Sequence, residues 1–141
     1  MEGKPIKFEI VLEGRIGLAR PGKKDSILGV ASLTKLDMAV SKLLANSDRG
    51  LDLGMHCRDV LDLAMLNLSK SEFAEATTKS EAADGEAILK DLAKVIDMLD
   101  EANGVLEHCI KDMDVSVPRA LLGQNISKVK SYIANGIPNR R

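Results

Sequence analysis

At 141 residues, with 20 basic against 21 acidic side chains and a formal charge of -1, the chain has the size of one domain with one core and no overall field that would draw it to nucleic acid or anionic lipid. Aromatic residues at 2% leave almost no base-stacking platform, which weighs against a single-strand-binding module, and two cysteines, Cys57 and Cys109, are too few and too separated for the disulfide framework of a small secreted domain. No apolar run approaches the roughly 18 residues of a membrane span, and residues 1–20 lack a signal peptide's apolar centre, so no membrane association is expected and a reducing cytoplasm is the expected location.

The first elements read as β structure. In "IKFEIVL" Ile6, Phe8, Ile10 and Leu12 alternate against Lys7, Glu9 and Val11, a period of two with one face buried. "RIGLA" and "SILGVA" read as further short strands, set apart by Glu13-Gly14 and by the Pro21-Gly22 turn signal. Two or three strands with unpaired edges predict a sheet that a partner completes.

From Ser32 the period changes. Leu36, Ala39, Val40, Leu43 and Leu44 recur at helical spacing behind Thr34-x-x-Asp37, which has the form of a capping box. A second helix is expected over about residues 56–67, burying Val60, Leu61, Ala64 and Met65. A third starts behind Ser71 and ends before Asp84-Gly85. The fourth carries Ile88, Leu89, Leu92, Val95, Ile96 and Leu99 and stops at Asn103-Gly104, a C-cap pair. A short helix through Leu106 and Ile110 follows, and the last begins at Pro118, burying Ala120, Leu121, Leu122, Ile126, Val129 and Ile133. The expected fold is therefore α+β and a single domain: an antiparallel β segment over 1–31, a bundle of five or six helices over 32–135, and a basic tail over 136–141.

The charged residues that interrupt this apolar pattern are the candidates for chemistry. Lys42 sits in the first helix, Arg49 closes it, and Arg58-Asp59-x-x-Asp62 opens the second. Asp59 and Asp62, three apart, share a helix face, and Arg58 reaches Asp62 at i,i+4. Two carboxylates so placed suit metal binding or acid–base work; the plainer alternative is a pair of helix N-terminal acids favoured by the dipole and a local ion pair. Lys42 has the same two options, phosphate ligand or snorkelling flank residue.

His56-Cys57 and His108-Cys109 supply the ligand types of a zinc site without its spacing, so buried thiols are expected in their place. Asp112-Met113-Asp114 is a D-x-D between helices, better suited to capping than to magnesium. Nucleotide-binding loops of the Walker A or G-x-G-x-x-G type, G-x-S-x-G and H-E-x-x-H are all absent, and no metal ligand set is assigned.

In order, "KFEIV", "TKLDMAVSKLLANSDR" and "HCRDVLDLAML" resemble the later half of the AbiEii/AbiGii-type nucleotidyltransferases, toxin components of bacterial phage-defence and toxin-antitoxin systems. The resemblance is strongest over residues 6–66, and "VPRALL" is in keeping with one branch. It implies transfer of a nucleotide from an NTP, with Mg2+, to an acceptor. It also implies roles: Lys7 and Glu9 on a strand, Glu9 as a further carboxylate, Lys42 facing the triphosphate, Arg49 and Arg58 as supporting charges, and Asp59 or Asp62 as the late acid. An antitoxin is the partner so implied.

The family's Gly-Ser turn and the D-x-D after it should precede Lys7, and six residues before that position leave no room for them. The expectation is thus the second half of a nucleotidyltransferase, inactive alone, as a truncated product, a fragment or a repurposed domain. The competing expectation is a non-enzymatic helical interaction module that forms a homodimer or completes a partner protein's sheet.

Overall fold

The structure, a computed structural model, describes residues 12–49, 56–101 and 104–135. Within them a two-stranded antiparallel sheet, β1 (Ser26–Ile27) and β2 (Val30–Ala31), precedes six helices: α1 (Lys35–Arg49), α2 (His56–Met65), α3 (Lys70–Asp84), α4 (Ala87–Glu101), α5 (Val105–Asp112) and α6 (Arg119–Ala134). The α+β architecture expected from the period change at Ser32 is what the chain adopts. The strand expected over Ile6–Leu12 falls almost wholly outside the described residues, as do the basic tail and Asn103.

Two β expectations are corrected. "SILGVA" is not one strand but a hairpin, because Leu28 (φ 51°) and Gly29 (φ 81°) both take left-handed conformations and reverse the chain in a type I′ turn, pairing Ile27 with Val30. "RIGLA" is not a strand at all. Its backbone is used by side chains: Ala19 N–H donates to Asp37 Oδ2 at 2.7 Å, and Arg15, held by Glu13, donates to Asp48 at 2.9 Å. Asp48 lies near the end of α1 and Asp37 near its start, so this irregular arm runs antiparallel along the helix, burying Ile16 on the way.

The helices form because their apolar residues fall on one stripe each. α1 sits at the centre, packed on α2, α3 and α4, while α6 covers α2 and α4. One continuous core results, including Val40, Leu43, Leu44, Leu61, Ile88, Leu92, Ile96 and Leu122. At about 25 cal/mol per Å2 of apolar surface removed from water, each such side chain contributes about 1.5–3 kcal/mol toward holding the bundle.

α3 is the exception to simple periodicity. Its buried face is Phe73, Ala76, Thr77 and Ser80, and the two hydroxyls donate to carbonyls one turn back, Phe73 O at 2.9 Å and Ala76 O at 2.8 Å. Its start is Ser69 rather than Ser71: Ser69 Oγ accepts from Glu72 N–H while Glu72 accepts from Ser69 N–H, a reciprocal capping box. Gly85, at φ 88°, ends the helix by donating its N–H to Glu81 O.

At the edges of the apolar stripes, Met65 (41% exposed), Ala120 and Leu121 lie outside the core that the sequence pattern gave them. Cys57 and Cys109 are not free buried thiols. They form a disulfide between the first turn of α2 and α5, with Cα atoms 6.1 Å apart.

Candidate functional site

Lys42, Asn46 and Arg49 follow one another at i, i+4 and i+7 on α1 and so share one face. Asp59 and Asp62, at i and i+3, do the same on α2. The two faces meet. Lys42 Nζ lies 2.6 Å from Asp62 Oδ2 and 3.7 Å from Asp59 Oδ1, and Arg49 Nη1 donates to Asp59 Oδ2 at 2.6 Å.

Four of the sequence candidates thus converge on one seam, with both cations facing carboxylates. Asp59 is at its bottom, 2% exposed, while Lys42 and Arg49 remain about one third exposed at 34% and 35%. Burial raises the Asp59 carboxyl above its ordinary value; Arg49 and Lys42 oppose that rise and the nearby Asp62 adds to it. Arg58 is exposed, and the expected Arg58–Asp62 pair gives way to Lys42, which reaches Asp62 from the neighbouring helix. Lys7 and Glu9 lie outside the described residues.

The seam contains one residue that sequence reasoning missed. Asn46 is 3% exposed, and among the described residues neither its Oδ1 nor its Nδ2 meets a hydrogen-bond partner. A buried amide without a partner costs about 1–3 kcal/mol, and Asn46 stands one turn from each cation along α1. The signal was available: an Asn stands at i+4 from Lys42 and i−3 from Arg49, on the same face as both cations.

A second polar centre, also missed, holds the arm and α3 to α1. Asp37 is fully buried and accepts from Ala19 N–H at 2.7 Å, Thr34 Oγ1 at 3.0 Å and Lys79 Nζ at 2.5 Å. Burial by itself would raise this carboxyl, but Lys79, the Ala19 N–H and the Thr34 hydroxyl outweigh it and hold it below the usual carboxylate value. The Thr34-x-x-Asp37 box is therefore half formed: Thr34 Oγ1 accepts from Asp37 N–H at 3.1 Å, while the acid turns toward Ala19 and Lys79.

Two concavities adjoin these centres. One of about 260 Å3 is lined by Met38, Lys42, Asp62, Met65 and Leu66, at the mouth of the charged seam. The larger, about 550 Å3, lies between the hairpin and the N-terminal ends of α1 and α3, with Ile27, Leu33, Leu36 and Leu68 among its walls. The Lys35–Glu72 ion pair, at 3.1 Å, belongs to its lining.

For the magnesium ion that the resemblance implies, the carboxylates of this seam do not fit. A hard cation takes open carboxylate oxygens, whereas three of the four here, Asp59 Oδ1, Asp59 Oδ2 and Asp62 Oδ2, face Lys42 or Arg49 nitrogens. Among the described residues no group of three or more His, Cys, Asp and Glu side chains is arranged to hold a metal. His108, exposed, faces Asp112 at 3.1 Å and stands outside the seam. No helix among the described residues is long and apolar enough to cross a membrane. Comparison with protein-family models, with curated proteins and with solved structures gave no match.

Proposed function

We propose that this chain is a non-catalytic helical interaction module, whose partner adds a strand to the hairpin and whose charged seam fixes α2 against α1. The observation that carries this reading is the internal pairing of the seam: Lys42 and Arg49 are engaged by Asp62 and Asp59, leaving two cations balanced by two carboxylates. A triphosphate site needs cations in excess of fixed anions. The hairpin offers exposed apolar side chains, Ile27 at 61% and Val30 at 69%.

The partner is a second copy or another protein with an extended apolar segment, since strand addition uses the hairpin's outer backbone for affinity and alternate side chains for specificity. A cytoplasmic location belongs to the same reading. Light scattering and size-exclusion measurement of the full chain are the test: an oligomer, or capture of a partner, that Ile27→Ser with Val30→Ser abolishes is the expected result. A monomer that captures nothing overturns it.

One observation favours a second reading. Lys42, Arg49, Asp59 and Asp62 meet on one seam, as residues serving a common site would. Here the chain is the C-terminal part of a nucleotidyltransferase-like toxin, silent alone, which acts with NTP and Mg2+ when a metal-binding half is supplied and which an antitoxin restrains. Lys42 would then exchange Asp62 for phosphate. Incubation with labelled NTPs and Mg2+ in a nucleic-acid or protein pool is expected to give no label transfer; robust transfer by this chain alone contradicts both readings. Lys42→Ala separates them. In the module it costs at most about 1 kcal/mol of stability, as for any half-exposed ion pair, and alters no ligand binding; in the toxin it weakens NTP binding.

A further inference from the structure

The Cys57–Cys109 bond joins two elements with little else between them. α5 is eight residues long, far shorter than a helix that persists alone in water. Gly104, at φ 89°, caps it without a side-chain hydrogen bond, and Asp114 at φ 51° turns the chain just beyond its end. Only Leu106 and Cys109 of α5 are buried, and its neighbours are chiefly α4 and α2. One of its two buried anchors is therefore the half-cystine itself.

The other end of the bond is equally local. Cys57 is the second residue of α2, and Asp59, which takes Arg49 and Lys42, lies in the same first turn. The bond thus fixes both a marginal helix and the turn that presents the seam's buried acid. Cys57 is half-buried and its neighbour Arg58 is exposed, so an attacking thiolate has access beside a cation. At the N-terminal turn of α2 the freed Cys57 sulfur is favoured as a thiolate, which stabilises the reduced form and makes the bond reducible. In a cytosolic protein a disulfide is usually transient and redox-sensing.

We propose that Cys57–Cys109 is a redox-controlled staple, locking α5 and the first turn of α2 onto the bundle when oxidised and releasing them when reduced. The reductant is a dithiol. Its two thiols deliver two electrons and two protons, the Cys57–Cys109 bond breaks to two thiols, and the dithiol closes into its own disulfide. This inference rests on the cytoplasmic location proposed above and not on the reading of the charged seam.

Hydrogen exchange of the full chain, with and without dithiothreitol, tests it. In the reduced chain, amides of 105–112 and 57–61 are expected to exchange roughly tenfold faster or more through local opening, while the core amides of α1, α4 and α6 still exchange only through global unfolding and stay the most protected. Cys57→Ser with Cys109→Ser should match the reduced chain and ignore dithiothreitol. Equal exchange of α5 in both states overturns the proposal, and so does a reduced chain in which α5 still opens only together with the core, in one global unfolding, which marks a purely structural bond. Alkylation under acid quench in the cells that make the protein gives the second readout: a mixed population that shifts with the thiol poise is expected. Full oxidation or full reduction regardless of poise overturns the switch.

Discussion

Two buried aspartates with opposite electrostatics define the residue scale. Asp37 and Asp59 are both nearly inaccessible, yet Asp37 sits below the ordinary 3.8 and Asp59 above it. Each pays the desolvation of its charge; Asp37 recovers it through Lys79, a backbone N–H and a hydroxyl, whereas Asp59 has Arg49 and Lys42 but also Asp62 beside it. The stability consequences have opposite signs. With a depressed folded value, the Asp37 contribution is present above about 3.8, its value when unfolded, and is lost as pH falls through the folded one. With a raised folded value, Asp59 makes stability fall as pH rises between 3.8 and its folded value, because the folded state holds the proton longer. Asp37→Asn is therefore expected to cost about 3 kcal/mol at neutral pH, the range for breaking a buried pair, read as a drop in the urea midpoint. Asp59→Asn should stay within about 1 kcal/mol, because the partners Lys42 and Arg49 can rehydrate, and should remove the downward slope in a pH series of the same midpoints. A larger loss for Asp59→Asn than for Asp37→Asn would reverse this ranking of the two centres.

Among the elements, legibility followed the physical signal each one uses. α1, α4 and α6 announce themselves by apolar spacing, and their buried Leu43, Leu44, Leu92, Ile96, Leu122 and Ile126 were readable because burial of large aliphatic side chains is what makes them fold. α3 buries two hydroxyls beside Phe73 and Ala76, which leaves its hydropathy pattern weak, so its start came out two residues late; the Ser69-x-x-Glu72 pattern was the signal that fixes it. Ser69→Ala removes the acceptor of Glu72 N–H and is expected to cost about 1 kcal/mol, measured by thermal or urea melting. Glu72, held down to about 2 by the Ser69 N–H first and by Lys35 and the Ser69 hydroxyl, keeps the cap ionised, so its contribution is lost only as pH falls from its ordinary 4.5 toward 2. The hairpin failed differently. Strand propensity flags "SILGVA" correctly, but a Leu at the first turn position is a poor marker of left-handed backbone, so only Gly29 hinted at the reversal. Leu28→Asn suits that conformation better and removes an exposed Leu at 99%, so it should raise hairpin order, seen as sharper amide dispersion for 26–31, at no cost to the helical melt.

At the scale of the whole molecule, the cross-link is the feature that local sequence could not declare. Whether two cysteines 52 residues apart meet depends on how α2 and α5 come together, a tertiary fact absent from either flank; the same holds for the seam, where residue types were readable but the swap of Arg58 for Lys42 at Asp62 was not. The bond closes a long loop, and in the chain-entropy account such a loop stabilises the folded state by about 4 kcal/mol, chiefly by restricting the unfolded chain. That effect falls on the bundle as a whole, separately from the local hold on α5. Reduced and oxidised chains should therefore differ in two measurements at once: the urea midpoint drops on reduction by an amount corresponding to several kcal/mol, while helical circular dichroism without denaturant declines only by the share belonging to α5 and the first turn of α2. The buried residues of α1, α4 and α6 include no cysteine, so a native-like baseline with an earlier midpoint is the expected pattern. A midpoint unmoved by reduction would mean that the unfolded chain gains no freedom when the bond opens, which the entropic account of a 52-residue separation does not permit.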